Sequence, residues 1–322
     1  MTMKRRTLGM AMAAAALARP ARAQPFPSRP ISLVVPYGPG TATDLLARQL
    51  ADRASDILGQ RIIVDNRAGA GGMIGSEFVA RARPDGYTLI FAANQTHATN
   101  VSLYRSIRYD PVRDFTPVAR MASQPQVLVV NPRLPVRNAR DLVAHARANP
   151  GRLNFGSTGI GTGAHLGGEL LRSTAGIDIV HVPYNNAQVI ADLLTGTVSL
   201  MFYPYLPLKP HIDSGGVIAI ATCGAERAPW LPAVPTMIES GFADFIVTSW
   251  FAVYGPAGLS PEVVRPVSAA FARVLGDGDL RAALAQTGTL AQYLPPEELA
   301  AFTVAEIARA RGIVERSGVR LD

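Results

Sequence analysis

The feature that most limits the possible folds is an alternation of short apolar runs with amphipathic segments, which occurs twice along the chain. The first series contains the strand-like runs ISLVV (31–35), RIIVDN (61–66) and YTLIFAA (87–93), separated by predicted helices over 43–58 and 72–83. The second series runs from QVLVV to VIAIATC, over residues 126–223. This order predicts two α/β lobes, each with a parallel or mixed sheet covered by helices.

The second series and the C-terminal part set the expected division of the chain. Extended segments near 114–126 and 241–258 are predicted to pass between the lobes, so that the later helices return to the first lobe. We therefore expect lobe 1 to contain residues 24–123 and 247–322, and lobe 2 residues 124–246. The further predicted helices cover 138–148, 162–174, 187–195, 206–213, 260–275, 278–286 and 296–317.

Residues 1–23 have the pattern of a cleavable export signal. Three basic residues at 4–6 precede a short apolar stretch over 8–18, and the small-residue pattern of 21–23 predicts cleavage after Ala23. The apolar stretch is far shorter than the roughly 20 residues that span a bilayer. We expect a soluble exported protein; the other interpretation is an Ala-rich cytosolic helix. The pair at 5–6 leaves both the general secretory and the twin-arginine routes open.

Charge and cysteine content exclude several classes of function. The 322-residue chain has a net charge of +7, but loss of residues 1–23 removes five basic and no acidic residues, which leaves +2. A nearly neutral chain lacks the basic surface that binds nucleic acid. The single cysteine, Cys223, excludes an internal disulfide and Cys-rich metal sites, and its apolar surroundings predict a buried thiol.

Two glycine-rich loops carry the residues best suited to ligand binding. The strand, loop and helix plan of residues 31–50 is repeated at 153–171. A helix N-terminus presents unsatisfied N–H donors and a partial positive charge, so each loop can hold an anion without Lys or Arg. The other interpretation is that Gly and Thr only form tight turns. The hydroxyl residues that can contact an anion or cap the helices are Thr41, Thr43, Ser157, Thr158 and Thr162.

Neither loop favours a nucleotide. A P-loop requires G-x-x-x-x-G-K-[ST], but the only lysines, Lys4 and Lys209, lie outside the glycine loops. Residues 159–164 match the dinucleotide pattern G-x-G-x-x-A, but Asp178 begins its predicted strand, whereas the ribose-binding acid should end it.

A hydrolase is the alternative class of function. Residue 155 is Phe, so the G-x-S-x-G elbow is incomplete around Ser157, but His165 or His181 can supply the base of a nucleophilic pair. His165 and Glu169 are four residues apart, but they lack the glutamate–histidine arrangement that binds zinc in the zincin class of metalloproteases. His165 is interpreted either as a ligand contact or as a packing residue. The tyrosines that can stack on a ligand or line the cleft are Tyr37, Tyr203 and Tyr205.

A series of motifs covers nearly all of the chain after residue 23. In order, they are RPISLVVPYGPG, VDNRAGAGGMIGSEFVARARPDGYTL, YDPVRDFTPVAR, NPGRLNFGSTGIGTGAHLGGELL, VHVPYNNA, LPAVPTMIESGF and WFAVYGPAGLSPEVV. The series resembles the Bug (TctC-like) family of periplasmic solute-binding proteins, which serve tripartite tricarboxylate transporters. The resemblance implies a type II periplasmic-binding-protein fold, with two lobes closing on a small organic acid.

The resemblance also implies the site and the partners. Backbone amides, hydroxyls and bridging waters at the two loops would hold the carboxylate, with further contacts from residues 94–97 and 184–185. A membrane permease would receive the acid; a ligand-sensing subunit would share the same fold and site. No enzyme activity, cofactor, metal or nucleic acid is expected, and the protein is expected to be a monomer. The expected ligand-binding residues are Tyr37, Gly40, Thr41, Thr43, Asp44, Asn94, Thr96, Ser157, Thr158, Gly161, Thr162, His165, Tyr184, Asn185 and Tyr203.

Three positions depart from the family pattern. Gly40-Thr41 stands where the family usually has two glycines, and Asn185-Asn186 where Lys or Arg and then Gly are common. Tyr203 stands where many members have Asp. Because an Asp there can pair with an α-ammonium group, its absence favours a non-amino carboxylate, either a dicarboxylate or an aromatic acid stacked on Tyr203 or Tyr37.

Overall fold

Two mixed β-sheets organise the molecule in the computed structural model, which describes residues 26–184 and 188–317. The first sheet contains β1 (Ile31–Val35), β2 (Ile62–Asn66), β3 (Thr88–Ala93), β4 (Phe115–Pro125), β10 (Thr248–Pro256) and β11 (Leu290–Leu294). The second contains β5 (Val127–Val130), β6 (Leu153–Ser157), β7 (Ile179–Pro183), β8 (Leu200–Tyr203) and β9 (Ile218–Thr222). The strand orders are β11-β4-β10-β3-β1-β2 and β7-β6-β8-β5-β9.

Helices cover both sheets, which confirms the prediction of two α/β lobes. A 3₁₀ turn (Ala70–Gly72) precedes the second helix, and a π turn (Gln95–Thr99) precedes the third. The helices are α1 (Ala42–Leu58), α2 (Met73–Ala80), α3 (Asn100–Leu103), α4 (Ala139–Ala148), α5 (Gly163–Ala175), α6 (Gln188–Thr195), α7 (Tyr205–Asp213), α8 (Pro261–Gly276), α9 (Gly278–Gln286) and α10 (Pro296–Ser317).

Most predicted helices lie within one or two residues of their expected bounds, but α2 is shorter than the predicted 72–83. Gly71 and Gly72 have φ of +62° and +86°, which a right-handed helix cannot contain, so α2 begins at Met73. At the other end Arg81 leaves the helix, and Pro84 disfavours helical backbone in the residue before it.

The strand directions place the carboxyl ends of the parallel strands at the junction between the lobes. Strands β3 and β4 are both antiparallel to β10, and β1 and β2 are parallel to β3, so all four point the same way. Strand β4 ends one residue before β5 begins the second sheet. Strand β8 is antiparallel to β5, and β6 and β7 are parallel with β8, so their carboxyl ends return to this junction. The loops after β1 and β6 therefore face each other.

The chain crosses between the lobes at Gln126 and at Val247, and backbone hydrogen bonds join both residues to Cys223, which follows β9. Gln126 N–H donates to Val247 O (3.0 Å), Cys223 N–H to Gln126 O (2.8 Å) and Val247 N–H to Cys223 O (3.0 Å). The Cys223 thiol is fully buried beside this crossing, as predicted, and burial raises its pKa.

Helix α10 contacts the cores of both lobes, and its expected assignment to lobe 1 stays a prediction. Leu299 and Ala310 lie in an apolar cluster of the first sheet, whereas Ile313 and Val314 lie in the core of the second. The helix reaches both cores because buried apolar residues continue along it from Leu299 to Val314. Among the described residues, no helix combines the length and the hydropathy needed to cross a membrane.

Candidate ligand-binding cleft

The two glycine-rich loops, loop 1 (36–41) and loop 2 (158–162), lie on opposite sides of a cleft between the lobes. Gly161 of loop 2 contacts Leu103 of α3, since an added Cβ at Gly161 would lie 2.4 Å from Leu103 Cδ2. Gly161 has φ +79°, which favours glycine, so the position combines a backbone requirement with a steric one. The lobes therefore touch directly at this point.

Loop 1 is held from within by Asp44. Thr41 caps α1 and accepts from Asp44 N–H (3.3 Å). The Asp44 carboxylate is buried and accepts from Gly40 N–H (2.8 Å), Asn66 Nδ2 (2.8 Å) and Arg48 Nε (3.1 Å). Burial opposes ionisation of Asp44, but these hydrogen bonds outweigh it and hold its pKa below the usual value. The Asp44 oxygens fix the loop backbone, and the expected contact of Asp44 with a ligand stays a prediction.

A second part of the first lobe edge is the π turn after β3. Thr96 is fully buried and its hydroxyl donates to Ala93 O (3.0 Å), while Tyr109 OH donates to Thr96 O (2.7 Å). Asn94 is half-buried. Tyr37 of loop 1 is also half-buried and lies with its hydroxyl 3.4 Å from Gln95 Oε1.

Loop 2 is fixed by hydrogen bonds at both ends. Thr162 caps α5 and accepts from His165 N–H (3.4 Å), and its hydroxyl donates to Gly159 O (2.8 Å). His165 Nδ1 accepts from Gly161 N–H (3.1 Å), which makes it the unprotonated nitrogen of the ring. His165 is therefore a buried residue of the loop's support, one of the two interpretations that the sequence left open.

Two histidines and a serine are clustered beneath loop 2. Ser157 Oγ lies 2.7 Å from His181 Nε2, and the rings of His165 and His181 are 4.3 Å apart. Burial, then the neighbouring His181 and Arg172, lowers the pKa of His165 to about 4. Burial also lowers the pKa of His181. Ser157 is fully buried, and its hydroxyl contacts Gly159 as well as His181, so it is not presented to the cleft.

The remaining expected contacts lie at the ends of β7 and β8. Tyr184 and Tyr203 are both half-buried. Tyr184 OH donates to Asp192 Oδ2 (2.6 Å), so only its ring and backbone are available to a ligand. Burial raises the pKa of Tyr203, which keeps it a neutral phenol. Asn185 lies outside the described residues. Tyr205, unlike Tyr37 and Tyr203, is buried.

The expected site residues therefore form two groups. Those with exposed or half-buried surface in the cleft region are Tyr37, Gly40, Thr41, Thr43, Asn94, Thr158, Thr162, Tyr184 and Tyr203. Those that are buried in or beside the loops and the π turn are Asp44, Thr96, Ser157, Gly161 and His165.

One supporting residue, Asn66, was missed by the sequence reasoning, and His181 was named only as a possible base for Ser157. Asn66 ends β2 and donates to Tyr37 O (3.0 Å) as well as to Asp44. His181 lies opposite Phe155 in the β6–β7 register, which brings it to Ser157. The sequence does show that these two residues are polar and lie in or at the end of a strand. It does not show which residues they contact, because that depends on the strand order.

The arrangement defines a class of protein, a two-lobed solute-binding protein, and two solved structures share it. One is described as "R. palustris Rpa4515 with adipate"; it is 36% identical with a TM-score of 0.78, and the match covers 92% of this chain and 99% of that one. The other is "MatC (Rpa3494) from Rhodopseudomonas palustris with bound malate", 32% identical with a TM-score of 0.73, covering 90% of this chain and 100% of that one.

The chain belongs to the tripartite tricarboxylate transporter receptor family, TctC, whose model matches residues 46–319. Protein BugT of Bordetella pertussis (strain Tohama I) is 36% identical over 316 residues, which cover 98% of this chain and 97% of BugT. A UPF0065 protein in the tcbD-tcbE intergenic region of Pseudomonas sp. (strain P51) is 37% identical over 298 residues, 92% of this chain and 88% of that protein. The family consists of solute-binding receptors and not of enzymes.

Proposed function

We propose that this protein binds a small dicarboxylate in the periplasm, as a monomer, and delivers it to a tripartite tricarboxylate permease. The proposal is carried by the strand directions, which bring the N-termini of α1 and α5 to the junction between the lobes. Two carboxylates at the ends of one ligand would match two such positive ends. The relatives described with adipate and malate support the same class of ligand.

The donors for such a ligand are the first N–H groups of α1 and α5. Within the described residues, Ala42 and Thr43 at α1, and Gly163 and Ala164 at α5, have backbone N–H groups with no acceptor in the protein. The N–H groups of Gly40 and Gly161 are already taken by Asp44 and His165. We infer that the exposed residues of the cleft contact the acid, while the buried group sets the shape of the loops.

The ligand is expected to lack an α-ammonium group. Tyr203 is a neutral phenol at the end of β8 and offers no negative charge there. An ammonium group buried in the closing cleft without a carboxylate partner would be strongly unfavourable. Tyr203 instead provides a ring and a hydroxyl, which suit the chain and the carboxylate of a dicarboxylate or an aromatic acid.

Export and the division into lobes complete the proposal. We propose cleavage after Ala23 and a mature chain in which residues 24–123 and 247–322 form lobe 1 and 124–246 lobe 2. Support comes from the signal pattern of the sequence, residues 1–25 being outside the described part, and from the two sheets. Closure of the lobes on the acid would be the state that the permease reads, since a ligand shifts an open–closed equilibrium by its differential affinity.

The test is thermal unfolding of the mature protein with adipate, malate, benzoate and glutamate. At 100 times its dissociation constant, a ligand adds about 2.7 kcal/mol to the free energy of unfolding, which raises the midpoint by a few degrees. We expect a shift with adipate or malate, which lack an ammonium group, and none with glutamate. Tyr203→Asp should remove the dicarboxylate shift, whereas Tyr293→Asp, the same change outside the cleft, should keep it. A shift with glutamate alone would contradict the proposal.

The hydrolase alternative has its own control. Ser157→Ala removes the hydroxyl of the buried Ser157–His181 pair, so it should weaken dicarboxylate binding modestly. Wild-type protein should show no turnover of carboxylic esters above that of Ser157→Ala. Turnover that disappears in the variant would favour the enzyme.

A further inference from the structure

A second cavity lies between the lobes and is lined by residues other than those of loop 1 and loop 2. We call it the rear cavity; its volume is about 520 Å³. In the first sheet it is lined from β4 and β11, which lie beyond β10 from the loop-bearing strands. In the second lobe it is lined by residues 224–227, which follow β9 at the sheet edge. The crossing residues Pro125, Ile246 and Thr248 also line it.

The lining of the rear cavity is rich in arginine. Two of its arginines have carboxylate partners: Arg309 pairs with Glu306 (2.7 Å), and Arg227 with Glu239 (2.9 Å). The other two, Arg120 and Arg281, have no ion pair among the described residues. Arg281 is exposed and its Nη1 donates to Leu275 O (3.3 Å).

Arg120 is the unusual member of this group. Its guanidinium lies 4.3 Å from the centroid of the Phe302 ring, and its Nε is buried with no hydrogen-bond partner in the described part of the chain. The nearby Glu306 cannot serve it fully, because its oxygens already accept from Arg309 and from Trp250 Nε1 (2.9 Å). Burial lowers the pKa of Arg120. A buried donor of a charged group without an acceptor is unfavourable by itself, so an acceptor supplied from outside would stabilise it.

One carboxylate opposes this excess of positive charge. Glu226 lines the cavity, is exposed and has no ion pair among the described residues. The charges of Arg227 and Arg309 are neutralised by their ion pairs. The two positive charges of Arg120 and Arg281 and the one negative charge of Glu226 then leave the cavity with a net charge of +1.

We propose that the rear cavity is a second binding site, for a small oxyanion of the phosphate or carboxylate class, held by Arg120 and Arg281. Guanidinium groups match the oxygen geometry of both kinds of anion. The site is distinct from the cleft, since no residue of loop 1 or loop 2 lines it.

Occupancy of this site is expected to be coupled to the position of the lobes. Residues of both lobes and of the crossing segments line the cavity, so lobe rotation changes its width. The Glu306–Arg309 pair also lines a small internal cavity with Asn94 and Gly163, which belong to the cleft side. An anion that changes the affinity of the cleft for its acid must have its own affinity changed by the same factor.

The experiment is isothermal titration with inorganic phosphate and, separately, malonate, at constant ionic strength set with sodium chloride. We expect at least one probe to bind the wild-type protein, with affinity reduced tenfold or more in Arg281→Gln and in Arg120→Gln. Arg53→Gln, an exposed arginine on α1 with the same loss of charge, is the control and should bind as wild type. Glu226→Gln should strengthen binding, because it removes the opposing charge.

The outcomes separate the sources of binding. Phosphate binding that depends on the two arginines assigns a phosphate-type ligand, and malonate binding with the same dependence assigns a carboxylate. Malonate binding retained in both variants would be binding in the cleft, and without an arginine-dependent signal from either probe the proposal is overturned. Arg281 is exposed, so its variant remains informative even if Arg120→Gln does not fold.

Discussion

Replacement of Gly161 by alanine tests whether the lobes meet where the structure places them. The new Cβ would lie 2.4 Å from Leu103 Cδ2, and the residue would keep a φ of +79°. The left-handed backbone costs about 1–2 kcal/mol for a residue other than glycine, and overpacking of the contact costs about 1–3 kcal/mol. Rotation of the lobes apart removes the second cost but leaves the first.

The two costs therefore have different readouts. Gly161→Ala should lower the free energy of unfolding of the unliganded protein by about 1–2 kcal/mol, the backbone part alone. The cost of overpacking should appear as a loss of ligand affinity of roughly 5- to 150-fold. Closure of the lobes on the ligand would press the new Cβ against Leu103, so part of the binding free energy is lost. Urea unfolding measures the first quantity, and calorimetry with the dicarboxylate identified by thermal unfolding measures the second.

Two controls isolate the contact. Gly176 has φ +59° with no atom within 4 Å of an added Cβ, so Gly176→Ala should lower stability similarly and leave affinity unchanged. Leu103→Ala combined with Gly161→Ala should recover most of the affinity relative to Leu103→Ala alone. Equal affinity of Gly161→Ala and wild type would refute a closing contact at this position.

Two further predictions concern the residues beneath the loops. The pKa of His165 is about 4 in the folded protein against about 6.5 in the unfolded chain. The contribution of the neutral His165 ring to the free energy of unfolding, about 3 kcal/mol, is therefore fully present above pH 6.5 and is lost as the pH falls to 4. His165→Asn keeps an acceptor for Gly161 N–H without the titration, so its stability should depend less on pH in urea unfolding at pH 7 and pH 5; an unchanged slope would count against His165. Asp44→Asn removes acceptors from buried donors and should lower the free energy of unfolding by about 1–3 kcal/mol. Asp213→Asn, at an exposed ion pair with Lys209, is the control and should change it little. Equal effects of the two changes would contradict the role given to Asp44.

The hydrophobic periodicity of the sequence was sufficient to predict most strands and helices of both lobes. Alternating apolar runs and amphipathic segments predicted the strands and helices because side-chain burial follows the period of each element. Thr41 and Thr162 were recognised as possible N-caps, and both cap their helices. These features depend on residues close together in sequence.

The parts that could not be predicted depend on contacts between distant segments. The sequence predicted that the segment near 241–258 returns to the first lobe, but no local pattern gives the place of β10 between β3 and β4. Asp44 has the polarity of a ligand contact, but its burial follows from meeting Asn66 and Arg48. The contact of Ser157 with His181 follows from a strand register that the sequence does not specify.

The shared helix α10 has a consequence for the synthesis of the protein. It supplies Leu299 to one core and Ile313 to the other, and it follows every strand of both sheets in the chain. Domains that are complete early in the chain can fold while synthesis continues. Here the two clusters that contain Leu299 and Ile313 stay incomplete until residues 296–317 have left the ribosome. The last packing step of both lobes therefore follows the synthesis of nearly the whole chain.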